Sequence, residues 1–249
     1  ALRATQEDID HSRYAWSRVR AFIELHIEQG PILERAQKSI GIVTAVAAPT
    51  RLQIILTGEQ NHSGTTPMNL RHDALAAAAA IILAVELIAN DFAPRHVVGT
   101  VGVIQSEPNV INAIPGRVEL RVDIRSASAE AKADCVKTIR EAISDIASQR
   151  SIGLQIETLA DEQPVAFSTT IIDAITHVCE SQKIDTLPMP SGAGHDTAHI
   201  ARVAPAGMIF IPSRAGISHD PREFSTIEDI QRGTQVLLAT LLELDAKSN

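Results

Sequence analysis

Glu24-Leu25-His26-Ile27-Glu28 sets an imidazole between two carboxylates, each two residues away and so on the same side of an extended chain. Neutral imidazole binds Zn or Mn through its lone pair, and acidic neighbours fix which ring nitrogen carries it. Gly30-Pro31 ends the run, so His26 and Gln29 fall at or near a strand end, where α/β sheets usually build their sites. A solvent-facing histidine on an edge strand would have the same pattern, and this stretch alone leaves both readings open. His195-Asp196-Thr197-Ala198-His199 sets two histidines four apart on an expected helix, close to the H-E-x-x-H zinc pattern but with a shorter acid. No third ligand is evident for that pair. The preceding Ser191-Gly192-Ala193-Gly194 instead offers backbone N–H groups, at Gly192 and Gly194, to an anionic substrate group at a helix N-terminus. Arg125 carries the planar fork that grips a carboxylate through two hydrogen bonds. A polar strand face that already bears Glu119, Arg121 and Asp123 would also account for it. His219 lies in Gly216-Ile217-Ser218-His219-Asp220-Pro221, directly after a strand, and reads as a ligand or as a capping loop histidine.

The elements that must position these groups follow from periodicity. Thr5–Ala21 is polar, a short helix or a loop leading into the His26 strand. Ile40–Ala48 is a small-residue, β-branched strand, and Pro49 marks a change of character. From there the order is strand (Leu52–Thr57), helix (Arg71–Asn90), strand (Val97–Gln105), strand, helix (Ser128–Gln149) and strand (Leu154–Leu159). In the third strand Val118, Leu120, Val122 and Ile124 alternate with Glu119, Arg121, Asp123 and Arg125, which predicts one buried face. This βαββαβ order is the split arrangement of a ferredoxin-like domain. After Gln163-Pro164 comes an α/β layer: a helix capped by Ser168, a strand at Thr186–Met189, a helix from about Asp196 and a strand at Gly207–Pro212. A last helix is expected to open with a capping box, Ser225 with Glu228.

With 249 residues there is core enough for one large or two ordinary domains. The net charge of −8 argues against a nucleic-acid or anionic-membrane surface, and one Trp and one Tyr leave little for stacking on single strands. Cys135 and Cys179 stand alone in helix-like segments, which suggests a reducing compartment and no disulfide framework. The longest apolar run, Ala74–Val85, is too short to span a bilayer, and no secretory signal is evident, so a cytoplasmic protein is expected.

ELHIEQGP (24–31), GEQNHSGTTPMNLRHD (58–73), GTVGVIQSEPNVINAIPGRVELRVDIR (99–125), SGAGHD (191–196) and MIFIPSRAGISHDPRE (208–223) stand in an order that resembles one family. It is that of the metal-dependent amidohydrolases of N-carbamoyl-L-amino acids, ureidopropionate and allantoate, relatives of the aminoacylases and carboxypeptidases with two-metal sites. The resemblance implies a discontinuous α/β catalytic domain, 1–48 and 161–249, interrupted by a ferredoxin-like lid and dimerisation domain, 49–160. It makes His26 and His219 ligands of two divalent ions, Zn or Mn. It makes His62 an oxyanion donor that crosses to the neighbouring subunit of a homodimer. Asn112 and Arg125 map onto substrate-binding positions, Gln29 is a weaker candidate, and the Gly192–Gly194 loop lines the pocket for a small anionic ureido or carbamoyl substrate.

The family's upstream His-x-Asp segment, bridging Asp and Glu-Glu pair have no counterpart before Phe22, and Asp8, Asp10 and His11 match none of them in context. One histidine per metal predicts weak metal binding and a catalytically silent chain, read as the C-terminal portion of a longer enzyme. Two other classes compete: an aminoacylase or peptidase of the same architecture, and a non-catalytic dimerisation or binding module.

Overall fold

The computed structural model describes Thr5, Glu7 and residues 16–246; most of the polar lead, including Asp8, Asp10 and His11, lies outside the described residues. In chain order the elements are β1 (Phe22–Ile27), α1 (Ile32–Arg35), β2 (Ile40–Val46), β3 (Ala48–Thr57), β4 (Asn61–His62) and α2 (Ala74–Phe92). Next come β5 (Val97–Glu107), β6 (Ala113–Ile114), β7 (Arg117–Ser126), α3 (Ala129–Gln149) and β8 (Gly153–Asp161). The last are β9 (Val165–Ala166), α4 (Thr169–Ser181), β10 (Thr186–Ser191), α5 (Asp196–Ile200), β11 (Ala206–Ile211) and α6 (Ile227–Ala246). The chain divides into two compact units, Ala1–Val46 with Val165–Asn249, and Ala47–Pro164.

In the first unit the sheet order is β1-β11-β2-β10, with β9 added alongside β2. β1 runs parallel to β11, β11 antiparallel to β2, and β2 parallel to β10. Alternation along β1 sends Ile23, Leu25 and Ile27 to one face, where they meet Ile171 and Ile175 of α4 and Val236 of α6. Phe22 turns to the other face, against Leu33, Met208, Phe210 and Ala198. Two-residue periodicity puts Glu24 and His26 on Phe22's side. The closing helix is capped one residue later than the sequence suggests. Thr226 Oγ1 accepts the Asp229 N–H at 3.1 Å and donates to the Asp229 carboxylate at 2.6 Å. Ser225 donates instead to the Pro212 carbonyl and so ties the helix start to the end of β11.

The second unit is a four-stranded antiparallel sheet, order β5-β7-β3-β8, with α2 and α3 packed together on its apolar side. Leu52, Ile54 and Leu56 of β3 and Val118, Leu120, Val122 and Ile124 of β7 are buried there with Ile81, Val85, Ile139 and Ile143 of the helices. β3 begins at Ala48, earlier than expected, because Pro49 sits in its first turn of pairing, where a missing N–H is tolerated. The Pro49 carbonyl is still used and accepts the Glu162 N–H at 3.0 Å. Asp73 caps α2 by accepting the N–H groups of Leu75 and Ala76. Just ahead of it, Gly58 lies so close to the His72 carbonyl that a Cβ would come within 2.0 Å of that oxygen. The apolar stretch Ala74–Arg95 is long enough to cross a bilayer by length and composition, which corrects the shorter estimate from the sequence. Its Ala74, Ala77, Ala78, Ile81, Val85 and Ala89 are nevertheless buried in this unit.

Candidate functional site

In the first unit Glu24, His26 and His195 converge, each offering a donor atom within 4.8 Å of the others. Strand alternation brings Glu24 and His26 together. His195 arrives from the turn after β10, and its ring centroid lies 4.7 Å from that of His26 and 5.6 Å from that of Phe210. Its side chain is 2% exposed, against 20% for Glu24. Burial, then the neighbouring His26, hold the His195 imidazole below the ordinary histidine range, while Glu24 and Asp196 pull the other way. A Ser-His-Glu order is present as well, since His195 Nε2 lies 2.8 Å from Ser191 Oγ. Ser191 is only 1% exposed and its hydroxyl donates to the Ala193 carbonyl, so it is no accessible nucleophile.

The zinc-protease geometry suggested by His195 and His199 is not formed. His195 is the residue before α5 and has extended backbone (φ −139°, ψ 155°), so the two histidines do not share a helix face. His195 is buried and His199 exposed. Gly192 and Gly194 are both exposed in the turn.

The His219 loop meets the end of β1. Gln29 donates its backbone N–H to Ser213 Oγ at 3.0 Å and its side-chain amide to Ser218 Oγ at 3.1 Å, one residue from His219. The His219 N–H donates to Glu223, whose carboxyl is held below its usual range by that bond, then the Ser218 hydroxyl, then the charges of His219 and His26. Gln29 and His219 both adopt left-handed backbone (φ 58° and 56°), a conformation that costs side-chain-bearing residues of order 1 kcal/mol or more. Gly216 is also left-handed, and a Cβ there would lie 2.7 Å from the Pro31 nitrogen, so only glycine closes this loop against Gly30-Pro31. Glu28, the other acid flanking His26, is buried and caps α1 by accepting the N–H groups of Ile32 and Leu33.

In the second unit His62 and Asn112 are neighbours. His62 pairs with Ala113, and the Asn112 carbonyl accepts the Ser63 N–H at 3.0 Å. His62 Nδ1 accepts the Gly64 N–H at 3.0 Å, which leaves the ring proton on Nε2, in an exposed side chain. Arg125 is elsewhere, with Nε 2.7 Å and a terminal nitrogen 3.2 Å from the two oxygens of Asp123. That contact raises the Arg125 pKa. Burial pushes the Asp123 carboxyl up, but hydrogen bonds from Arg125 and Arg51 outweigh it and leave the carboxyl below its usual range.

Sequence reasoning placed His26 and Gln29 at a strand end and saw Glu24 beside His26. It missed that His195 joins them, because the approach depends on how the turn after β10 folds back over β1 and β11. The visible signal was the small-residue turn Ser191–Gly194, which permits such a reversal.

Comparison with known proteins gives the family. The sequence model of peptidase family M20/M25/M40 matches residues 6–243. The chain is 39% identical over 227 residues to an N-carbamoyl-L-amino-acid amidohydrolase of Paenarthrobacter aurescens, covering 91% of this chain and 55% of that protein. It is 37% identical over 227 residues to the allantoate amidohydrolase of Escherichia coli (strain K12), with the same two coverages. A crystal structure of an amidase of the hydantoinase/carbamoylase family from Burkholderia multivorans superposes with a TM-score of 0.87 at 38% identity, over 91% of this chain and 55% of that one. The chain thus spans about half the length of the curated relatives it matches. With a mixed α/β architecture and a match that runs nearly end to end, this chain belongs to peptidase family M20/M25/M40.

Proposed function

We propose that the protein carrying this chain hydrolyses a C–N bond of N-carbamoyl amino acids or of related ureido compounds such as ureidopropionate and allantoate. One observation carries the reading: Gln29, at the end of the His26 strand, is hydrogen-bonded to Ser218 of the His219 loop, in a chain similar to amidohydrolases of such substrates. In this reading His26 and His219 each serve one of two divalent ions, Zn or Mn, with further ligands from the part of the relatives that this chain does not span. The donor set fits, since His26 Nδ1 is 2.7 Å from the Ile27 carbonyl and its lone pair is left on Nε2. Divalent ions at such a centre supply Lewis acidity and an activated water. Gln29 and the Gly192–Gly194 turn orient the anionic substrate.

The Ala47–Pro164 unit is read as lid and dimerisation domain. Leu83 and Leu87 on α2 and Val98 and Ile104 on the outer strand β5 are exposed apolar groups that support a second copy there. The β3–β7 register pairs Thr57 with Arg117 at one end and Pro49 with Arg125 at the other. Eight residues of strand separate those ends by roughly 27 Å. His62 and Asn112 belong to the Arg117 end, so they and Arg125 of one copy cannot grip one small molecule. This favours His62 and Asn112 reaching a partner's substrate, with His62 Nε2–H aimed at the developing oxyanion and Arg125 on the substrate carboxylate. The chain by itself is proposed not to turn over, and a reducing cytoplasm suits its two buried free thiols.

The test is a substrate panel on the full-length gene product: N-carbamoyl amino acids, ureidopropionate, allantoate, N-acyl amino acids and dipeptides, at equal concentration with Zn or Mn. Faster release from carbamoyl or ureido substrates is expected. Faster turnover of N-acyl amino acids or dipeptides would replace the reading with an aminoacylase or peptidase one.

A further inference from the structure

The helix side of the Ala47–Pro164 unit carries a cavity of about 410 Å3 between α3 and the edge strand β8, within the range of small-molecule sites. All its lining residues belong to this unit, from Thr50 to Gln163.

Two features of packing open it. Pairing along β8 slips at Leu159: Leu52 lies opposite Thr158, but Arg51 lies opposite Ala160 and Thr50 opposite Asp161. The extra residue interrupts the alternation, so Thr158 and Asp161 both face the side on which Leu154 and Ile156 meet the helices. From α3, Lys132 donates to Asp161 Oδ1 at 3.2 Å and Arg140 donates to Thr158 Oγ1 at 2.6 Å. These two bridges stand ~12 Å apart along the helix. Between them α3 presents Ala133 and Val136, short apolar side chains that leave the space unfilled.

The charge along the cavity is uneven. At one end Lys132 is matched by Asp161. At the other, Arg140 has the neutral Thr158 hydroxyl, and no carboxylate pairs with it among the described residues. Lys137, beside it, is joined to Glu141 only loosely, at 3.9 Å with both side chains mostly exposed. A guanidinium without an acid is an anion receptor, since its planar fork grips a carboxylate through two hydrogen bonds. Glu141 and Asp161 also line the cavity and disfavour a dianion.

We propose that this cavity binds a small aliphatic carboxylate, its head on Arg140 and Lys137 and its chain along Val136 and Ala133. The site is separate from the proposed substrate positions and does not depend on the hydrolase reading. Strand alternation puts Arg125 on the sheet face away from α3, and His62 and Asn112 belong to the opposite, Arg117 end of the sheet.

The experiment is ligand-observed NMR on the full-length gene product, stripped of divalent ions with a chelator. Circular dichroism confirms that every variant folds. Hexanoate is the probe, compared with acetate, hexyl phosphate and hexylammonium at equal ionic strength. Hexanoate is expected to bind with a Kd of ~1 mM, as suits so small a ligand. Acetate should bind at least tenfold more weakly, hexyl phosphate more weakly than hexanoate, and hexylammonium not at all. Arg140→Gln removes the charge and should weaken hexanoate binding at least tenfold. Arg140→Lys keeps the charge without the fork and should recover part of that loss. Ala133→Leu fills the cavity from an exposed helical position and should also weaken binding at least tenfold, with no fall in Tm. Arg125→Ala should leave hexanoate affinity unchanged. Affinity that falls with Arg125→Ala but survives Ala133→Leu and Arg140→Gln would place the carboxylate at the proposed substrate site and overturn the proposal. A folded protein that binds hexanoate no better than hexylammonium would overturn it too, and tighter binding of hexyl phosphate would overturn the carboxylate assignment.

Discussion

Lys132 gives the sharpest stability test, because its partners differ so much in exposure. Its side chain is 3% exposed and its ammonium is held by the Glu162 carbonyl and by Asp161 Oδ1, 3.2 Å away. Asp161 is 57% exposed and also accepts the Thr50 hydroxyl at 2.7 Å. Removing the acid leaves a buried ammonium with only a carbonyl, whereas removing the amine leaves an acid that water can solvate. A fully buried pair broken from one side costs about 3–5 kcal/mol. With one partner half in solvent and the carbonyl retained, Asp161→Ala should cost ~2 kcal/mol. That corresponds to a fall in Tm of roughly 8 °C at ~4 °C per kcal/mol. Lys132→Met keeps an apolar stem in the same space and should cost no more than ~1 kcal/mol. The double variant should be as stable as Lys132→Met alone. The Asp161 carboxyl is held below its ordinary value of 3.8, first by the Thr50 hydroxyl and then by Lys132. A depressed carboxyl contributes stability that is present above the unfolded pKa and lost as pH falls through the folded one. The gap between wild type and Asp161→Asn should therefore narrow as pH drops below about 4. Urea melts followed by circular dichroism at pH 7 and pH 3 measure all of this. Lys132→Met more destabilising than Asp161→Ala, or a double variant worse than either, would refute the asymmetry.

Under the function proposed above, with His62 as the oxyanion donor, His62→Ala in the full-length protein should lower kcat about a hundredfold or more with metal content unchanged. Mixing His62→Ala subunits with His219→Ala subunits should restore activity if His62 works across a dimer, and exchanging subunits that stay inactive would exclude it. Cys135 and Cys179 are buried, which pushes both thiols up to about 11, so a thiol reagent at pH 8 should label neither until the chain unfolds. Thr226→Ala should cost ~1 kcal/mol as a lost helix cap, visible as a lower urea midpoint; no change would mean the last helix starts elsewhere.

Much of the architecture was legible because its determinants are local. Four alternating apolar residues in 118–124 were enough to give β7 its buried face, and the order of strand and helix patterns gave the second unit its topology. What was not legible depended on tertiary geometry. Glu24 and Thr197 meet across most of the sequence, and only the folded sheet and turn bring them together. The cap of α6 moved from Ser225 to Thr226 because the Pro212 carbonyl competes for the Ser225 hydroxyl. Arg125 is engaged by Asp123 two residues back on its own strand, a contact that strand periodicity allows but does not require.

The pairing of β3 with β8 has a consequence for the order of folding. Thr50 lies opposite Asp161, so the two ends of the Ala47–Pro164 unit leave it side by side. Val46 and Val165, immediately outside, pair between β2 and β9. The unit is contiguous in sequence and can form during synthesis before β10 and β11 emerge. Once formed, it replaces a floppy loop of ~120 residues with a short staple, sparing the first sheet a closure entropy of about 4 kcal/mol. Variants that unfold the insert should therefore also slow pairing of β2 with β10 and β11, although no side chain of those strands has changed.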